Sequence, residues 1–242
     1  MNPTRIDLHT HTLFSDGELL LSELLRRAQV KGYAAIAISD HGDASNLEEI
    51  FERLYNFLRA QDTSFPLTVI PSVELTHIPP AHIAGLARRA KELGAGLVVV
   101  HGETIVEPVA PGTNRAAVES RDVDILGHPG LLTPEEAQLA AQNGVHLEIT
   151  SRAGHSLTNG HVAQRARASG AKLVVDTVAH RSMDLTDHEF ACRVARGAGL
   201  NEAEVRAATE TNPRALVACA QERIRNFVDH RVHENSQLRN IT

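Results

Sequence analysis

Residues 5–17 read RIDLHTHTLFSDG, a short apolar run that ends in two histidines. On an extended chain, residues two apart point to the same side, so His9 and His11 can share one metal ion. In parallel β/α folds all strands open on one face at their carboxyl ends, and functional side chains collect there. The segment therefore predicts a first strand at residues 6–8 that carries two candidate ligands to such a face.

The same pattern recurs along the chain. Six further apolar runs predict strands, at residues 34–39, 67–73, 97–100, 123–126, 145–149 and 173–176. Amphipathic stretches predict helices between and after them, at residues 18–31, 47–60, 81–93, 134–142, 160–168, 187–198, 201–210 and 213–225. Alternating strands and helices predict a parallel β/α sheet or barrel, and 242 residues is close to the roughly 250 of a single β/α barrel. The barrel domain is predicted at residues 1–227, with a polar tail at residues 228–242.

Composition narrows the class of protein. Hydrophobic residues make up 42% of the chain and charged residues 22%, as in soluble globular proteins. The chain has no apolar segment long enough for a membrane span or a signal peptide, which predicts a cytoplasmic protein. A net charge of −6 and the lack of a basic block disfavour nucleic-acid binding. Cys192 and Cys219 form no CxxC pair, so no cysteine metal site is indicated.

Histidines and carboxylates follow the apolar runs. Six of the 14 histidines and two carboxylates lie at or just beyond predicted strand ends. Because these ends meet at one face, the side chains are expected to converge, and imidazole with carboxylate suits Zn, Mn or Fe. The predicted metal ligands are His9, His11, Asp16, His41, Glu74, His101, His128 and His180.

These segments resemble a known family. HTHTLFSDG (residues 9–17), SDHG (39–42), the Glu74 segment, VVVHGE (98–103), LGHPG (126–130) and AH (179–180) are similar to the ordered motifs of the PHP (polymerase and histidinol phosphatase) family. The resemblance covers residues 5–216. It implies a distorted seven-stranded β/α (TIM-like) barrel. It also implies a metal-dependent phosphoesterase whose metal site lies at the carboxyl ends of the barrel strands.

The resemblance also implies how two to three divalent ions, Zn, Mn or Fe, are shared among the ligands. One ion is assigned to His9, His11 and Glu74. A second is assigned to Glu74, His101 and His128, with the glutamate bridging. A third is assigned to Asp16, His41 and His180.

One position departs from the family motif. The family's closing motif is Asp-x-His, but this chain has Val178-Ala179-His180. Asp176 lies two residues earlier, about 6.6 Å away along a strand, which is too far to replace the missing carboxylate directly. The departure predicts that the first ion is bound more weakly than the others. Asp176 is predicted to hold the metal ligands in position without binding the metal itself.

Further residues are expected around the metals. Asp40 precedes His41 and is predicted to orient a ligand. Arg152 and His155 follow the sixth predicted strand and are predicted to bind the substrate phosphate. Glu103 and Glu107 also follow a strand end, where they either support the ligands or are only solvated. The remaining histidines are expected to be structural or exposed: His77, His82, His146, His161, His188, His230 and His233.

Three functions fit these patterns. The leading hypothesis is a phosphoesterase that hydrolyses a small phosphomonoester, similar to histidinol phosphate, with a metal-activated water. An amidohydrolase also begins with His-x-His on the first barrel strand, but the SDHG motif is extra and the last-strand aspartate is displaced. A non-catalytic PHP-like binding subunit would explain the loss of the aspartate at position 178, although it gives no reason to keep eight ligands. The pattern carries no information on oligomeric state.

Overall fold

Parallel strands form a nearly closed barrel in the computed structural model, which describes residues 4–61 and 66–239. The strands are β1 (Arg5–Thr10), β2 (Tyr33–Ile38), β3 (His41–Gly42), β4 (Thr68–Leu75), β5 (Leu97–His101), β6 (Ile125–Gly127), β7 (His146–Thr150) and β8 (Leu173–Asp176). Seven of them pair in the order β1-β2-β4-β5-β6-β7-β8, and the two-residue β3 pairs with the end of β4. The predicted seven-stranded α/β barrel is confirmed.

Strands β1 and β8 meet where the barrel closes. Thr10 forms an isolated parallel bridge with Ala179. Below it, the Leu8 amide donates to Asp176 Oδ1 over 2.7 Å. Side chains of β8 therefore replace part of the backbone ladder at this seam, which satisfies the buried amides of β1.

Helices surround the barrel. They are α1 (Leu21–Val30), α2 (Leu47–Gln61), α3 (Pro80–Glu92), α4 (Thr113–Glu119), α5 (Pro134–Asn143), α6 (Asn159–Ser169), α7 (His188–Gly197), α8 (Glu202–Arg206) and α9 (Asn212–Arg239). Helix α4 was not predicted, because seven residues are too few to show a helical period. The predicted helix at residues 201–210 divides into α8 and a π-helical segment, Ala207–Thr211.

The carboxyl-terminal boundary differs from the prediction. Helix α9 continues through Val228 to Arg239, where the sequence predicts a polar tail. Residues 226–239 contain no proline or glycine, so nothing in them ends a helix. Lost apolar periodicity is therefore no evidence against a helix.

The core has two layers that follow from the period of two along each strand. Side chains such as Ile36, Val98 and Leu147 point outward and pack under the helices. The inward side chains fill the barrel and pack against Leu216 and Ala220 of α9. On the strands they are Ile6, Leu8, Ala35, Ala37, Ile70, Leu97, Val99, Ile125 and Val174.

The same inward register continues toward the carboxyl ends, where the side chains change from apolar to ionisable. On β4, Ile70 is followed two and four residues later by Ser72 and Glu74, and all three are buried. On β5, Val99 is followed by His101. Strand periodicity thus places the candidate ligands directly above the apolar plug. No helix in the part of the chain that the structure describes is long and apolar enough to cross a membrane.

Candidate metal centre

A cavity of about 300 Å³ opens at the carboxyl ends of the strands. The residues that line it are Asp16, His41, Glu74, Thr76, His77, His101, Glu107, His128, Arg152, His155, Val178 and His180. His9 and His11, which are 0% and 1% exposed, lie against Glu74. All eight predicted ligands therefore lie in or against one cavity, although seven different strand ends and loops supply them.

Glu74 is the centre of the cluster. Its Oε1 lies 3.2 Å from His9 Nε2, 3.2 Å from His101 Nδ1 and 3.5 Å from His128 Nε2. Its Oε2 lies 2.9 Å from His41 Nε2 and 3.8 Å from His11 Nε2. Burial raises the pKa of Glu74, but the charges of His9 and His101 outweigh it and hold the pKa well below its ordinary value. The central carboxylate is therefore an anion that can bridge cations.

Asp16 is the centre of a second group on the outer side. Its carboxylate lies 3.1 Å from His180 Nε2, 3.6 Å from His41 Nδ1 and 4.0 Å from His11 Nδ1. The His11 and His180 rings stack with centroids 4.1 Å apart. Burial lowers the pKa of His11 well below its ordinary value, so this imidazole is neutral and keeps a lone pair for a metal. His11 thus groups with Asp16, His41 and His180, whereas the resemblance assigns it to the first ion.

Unpaired ring nitrogens test whether the residues fit metal ions. Within residues 4–61 and 66–239, His9 Nε2, His101 Nε2 and both nitrogens of His11 and His128 are buried and make no contact with the geometry of a hydrogen bond, although carboxylates lie 3.0–3.2 Å from two of them. Buried polar atoms are nearly always paired, so unpaired ring nitrogens close to carboxylates indicate cation ligands. The sets whose donor atoms lie within 4.8 Å of one another are His11–Asp16–His41–His180, His9–Glu74–His128 and His77–His101–Glu107. The donor set fits divalent metal ions.

Glu148, which the sequence analysis missed, supports two of the ligands. It is buried on β7, with Oε1 2.7 Å from His9 Nδ1, and its Oε2 accepts from the His128 amide over 2.9 Å. A carboxylate bonded to one ring nitrogen of a histidine leaves the other nitrogen free to bind metal. A signal was present in the sequence, because a glutamate inside the apolar run VHLEIT must find a partner once it is buried.

Glu107 and His77 also belong to the cavity. Glu107 lies 3.0 Å from His101 Nε2, 3.3 Å from His155 Nε2 and 3.5 Å from His77 Nε2. His77, predicted to be structural or exposed, lines the cavity with φ of 54°, a strained value for a residue other than glycine. Loop geometry after β4 and β5 brings these side chains together, and no spacing in the sequence indicates it.

The predicted supporting residues divide into two kinds. Arg152 and His155 line the cavity, and Arg152 forms an ion pair of 3.2 Å with Asp184. Asp40 accepts from the Thr12 amide, the Thr12 hydroxyl and the Ser15 hydroxyl over 2.7, 2.8 and 2.7 Å. It thereby shapes the loop between His11 and Asp16.

The positions of Val178 and Asp176 show whether Asp176 replaces the carboxylate that the family motif has at position 178. Val178 lines the cavity with φ of 52°, and Asp176 does not line it. Asp176 instead bonds to the β1 backbone at Leu8. Burial, followed by the nearby charges of Asp7 and Glu148, raises the pKa of Asp176 well above its ordinary value. Asp176 therefore does not take the place of the missing carboxylate.

Comparison with known proteins finds relatives over most of the chain. A protein of Methanocaldococcus jannaschii described as uncharacterized is 50% identical over 203 residues, 83% of this chain and 93% of its own length. A probable phosphatase of Shewanella frigidimarina is 28% identical over 216 residues, covering 80% of this chain and 85% of the relative. Ribonuclease P protein component 3 of Methanosarcina mazei is 26% identical over 231 residues, covering 89% of each chain.

The fold has a solved counterpart. The crystal structure of histidinol phosphate phosphatase from Lactococcus lactis, in complex with zinc, L-histidinol and phosphate, aligns with a TM-score of 0.58 at 15% identity. The alignment covers 82% of this chain and 95% of that protein. The family model described as PHP domain matches residues 7–142, more than half of the chain. The chain therefore belongs to the PHP family.

Proposed function

We propose that this protein is a metal-dependent phosphoesterase that hydrolyses a small phosphomonoester to an alcohol and inorganic phosphate. The observation that carries the proposal is Glu74, an ionised carboxylate with five histidines within 3.8 Å of its two oxygens. Two to three divalent ions, of Zn, Mn or Fe, would be held by His9, His11, Asp16, His41, Glu74, His101, His128 and His180. Such ions, when bound, acidify a water molecule and neutralise charge on a phosphoryl group.

The other residues of the cavity act on the phosphate. Arg152 presents a guanidinium to the cavity, and its pair with Asp184 fixes where that group lies. A planar guanidinium matches two phosphate oxygens, so Arg152 orients the phosphoryl group and stabilises its negative charge. His155, whose Nδ1 is 2.8 Å from Thr104 Oγ1, forms the adjacent wall and narrows the space available to the ester. Histidinol phosphate is the first substrate to assay, because the aligned Lactococcus lactis phosphatase was crystallised with L-histidinol and phosphate.

His101→Ala tests the proposal. The substitution removes a nitrogen 3.2 Å from Glu74 Oε1, so bound metal and phosphate release are both expected to fall, the latter by at least about tenfold. His82→Ala is the matched control, since His82 is exposed on α3 and outside the cavity. Metal is measured by elemental analysis and phosphate release with Zn or Mn added. Parent-level metal and activity in His101→Ala would remove His101 from the site.

A non-catalytic binding subunit is the second candidate. The relatives named ribonuclease P protein component 3 and the valine at position 178 favour it. It requires that no phosphoester or amide tested be hydrolysed by fully metal-loaded protein. An amidohydrolase would instead release amine or acid from an amide substrate and leave phosphomonoesters intact, so the same panel separates the three functions.

A further inference from the structure

Exposed apolar side chains lie on several of the loops at the face where the cavity opens. Leu13 is 54% exposed, Val106 46%, Leu131 65%, Leu157 71% and Met183 78%. These five residues, called here the apolar arc, lie on the segments that follow β1, β5, β6, β7 and β8. All of these segments leave the barrel at the face where the cavity opens. Large apolar side chains grouped on one face of a protein mark a surface that binds a ligand or a partner.

Contacts between the segments show that the loops that carry the arc adjoin one another. Gly130, beside Leu131, packs so closely on the β5 segment that a Cβ added to it would lie 1.9 Å from the Glu103 carbonyl oxygen. A Cβ at Gly154, three residues before Leu157, would lie 3.3 Å from the Val106 side chain. The β7 and β8 segments are joined by the 3.2 Å pair between Arg152 and Asp184. The β8 and β1 segments meet where the Glu18 amide donates to the His180 carbonyl over 2.7 Å.

Cations are nearly absent from the loops of this face. The segments after the strands, residues 11–20, 39–46, 76–79, 102–112, 128–133, 151–158 and 177–187, carry two arginines and no lysine, and all of them are described by the structure. Arg152 is paired with Asp184, and Arg181 lies 2.9 Å from Glu18. A polyanion such as RNA or a bisphosphate needs several free cations to bind. Outside the metal cavity, this face offers apolar surface and very little positive charge.

The size of the cavity decides where the rest of a substrate lies. About 300 Å³ must hold the metal ions and a phosphoryl group, and small-molecule pockets usually start at this volume. An alcohol of more than a few carbons therefore extends past Arg152 and His155 to the mouth. There it meets the apolar arc.

Resting on the proposed phosphoesterase function, we infer that the preferred substrate is a phosphomonoester of an apolar, uncharged alcohol whose carbon chain packs on the apolar arc. Histidinol phosphate, whose alcohol carries an amine, is then expected to be a poorer substrate. The phosphate enters the cavity, and the alcohol lies across the loops of β1 and of β5 to β8. Hydrolysis joins a water oxygen to phosphorus and breaks the bond to the alcohol oxygen, which leaves with a proton. The arc thereby determines which alcohol is accepted, and the metal cavity determines the chemistry.

A series of linear alkyl phosphates, from ethyl to octyl, tests the inference with Mn- or Zn-loaded protein. Each methylene buried on apolar surface gains up to about fourfold in binding, so kcat/KM is expected to rise about two- to fourfold per methylene until the chain passes the arc. In the double variant Leu157→Ser, Met183→Ser this slope is expected to flatten. Val30→Ser is the matched control, because Val30 is equally exposed, at 71%, but ends α1 on the opposite face.

Binding measured without turnover separates this inference from the proposed function. Titration calorimetry with methyl to octyl phosphonates, which are not hydrolysed, is expected to show the same dependence on chain length. If phosphonates bind with that slope and no ester is hydrolysed, the proposed function fails and the ligand class stands. If esters are hydrolysed with a flat slope, the inference is overturned. The inference is also overturned if affinity does not change with chain length and the double variant has a lower molecular mass in solution than the parent protein. The arc is then an interface between copies of the chain.

Discussion

Glu148→Gln is expected to weaken metal binding by about 10- to 100-fold, although Glu148 touches no metal in the proposed site. As a carboxylate, Glu148 accepts from His9 Nδ1 over 2.7 Å and from the His128 amide over 2.9 Å. Because the carboxylate only accepts, it holds the ring proton of His9 on Nδ1 and leaves Nε2, 3.2 Å from Glu74, free to bind metal.

Glutamine can replace only half of this arrangement. Its amide has one acceptor oxygen and one NH₂ donor, so it leaves the His128 amide unpaired or turns an N–H toward His9 Nδ1. The first case leaves a buried donor unpaired at a cost of about 1–3 kcal/mol. The second moves the His9 proton to Nε2, where it blocks the ligand lone pair. The first case therefore lowers folding stability, whereas the second weakens metal binding directly. A 100-fold loss of affinity corresponds to about 2.7 kcal/mol.

Competition with a chromophoric chelator measures the affinity, with circular dichroism to show that the variant is folded. Glu52→Gln, on the exposed face of α2, controls for loss of one negative charge. If Glu148 acts through His9, its substitution should cost much less in a His9→Ala background. The reasoning is refuted if folded Glu148→Gln binds metal within about twofold of the parent, or loses as much in the His9→Ala background.

Three further perturbations follow from single residues. Val178→Asp places a carboxylate in the cavity, and aspartate adopts the φ of 52° at this position more readily than a β-branched residue does. We therefore expect tighter metal binding and about 1 kcal/mol of added stability. Weaker metal binding in a chelator titration would contradict this. Arg152→Ala should raise KM or lower kcat for phosphate esters, a loss of roughly 1.5–3 kcal/mol in ΔΔG‡, with metal content unchanged; unaltered steady-state kinetics would remove Arg152 from substrate binding. Burial, and then the charge of Lys172, lower the pKa of His146 from 6.5 to about 4, so the unfolded chain takes up this proton more readily and stability falls as the pH drops below 6.5. Between about pH 7.5 and 5.5 this costs about 1.3 kcal/mol, and urea unfolding of His146→Gln should lack that part of the pH dependence; an identical pH slope in both proteins would contradict the assignment.

The amino-acid sequence by itself determined the barrel and the candidate ligands at its carboxyl end. Seven apolar runs alternating with amphipathic stretches predict parallel strands, because strand and helix periods can be seen in a single sequence. His9, His11, Glu74 and His101 could be found for the same reason. Each lies at or just beyond the carboxyl end of a strand, and a parallel barrel brings strand ends to one face regardless of their distance along the chain.

Only the tertiary structure decided how those ligands are grouped and what surrounds them. Glu148 reaches His9 across 139 residues of sequence, and Glu107 approaches His155 from a different loop. These contacts depend on barrel closure and on loop conformation, neither of which leaves a periodic signal. The regrouping of His11 with Asp16 has the same cause, since a ring can face either neighbour until its χ angles are set by packing. Sequence periodicity therefore specifies which face a side chain is on, and three-dimensional packing specifies which atoms it meets there.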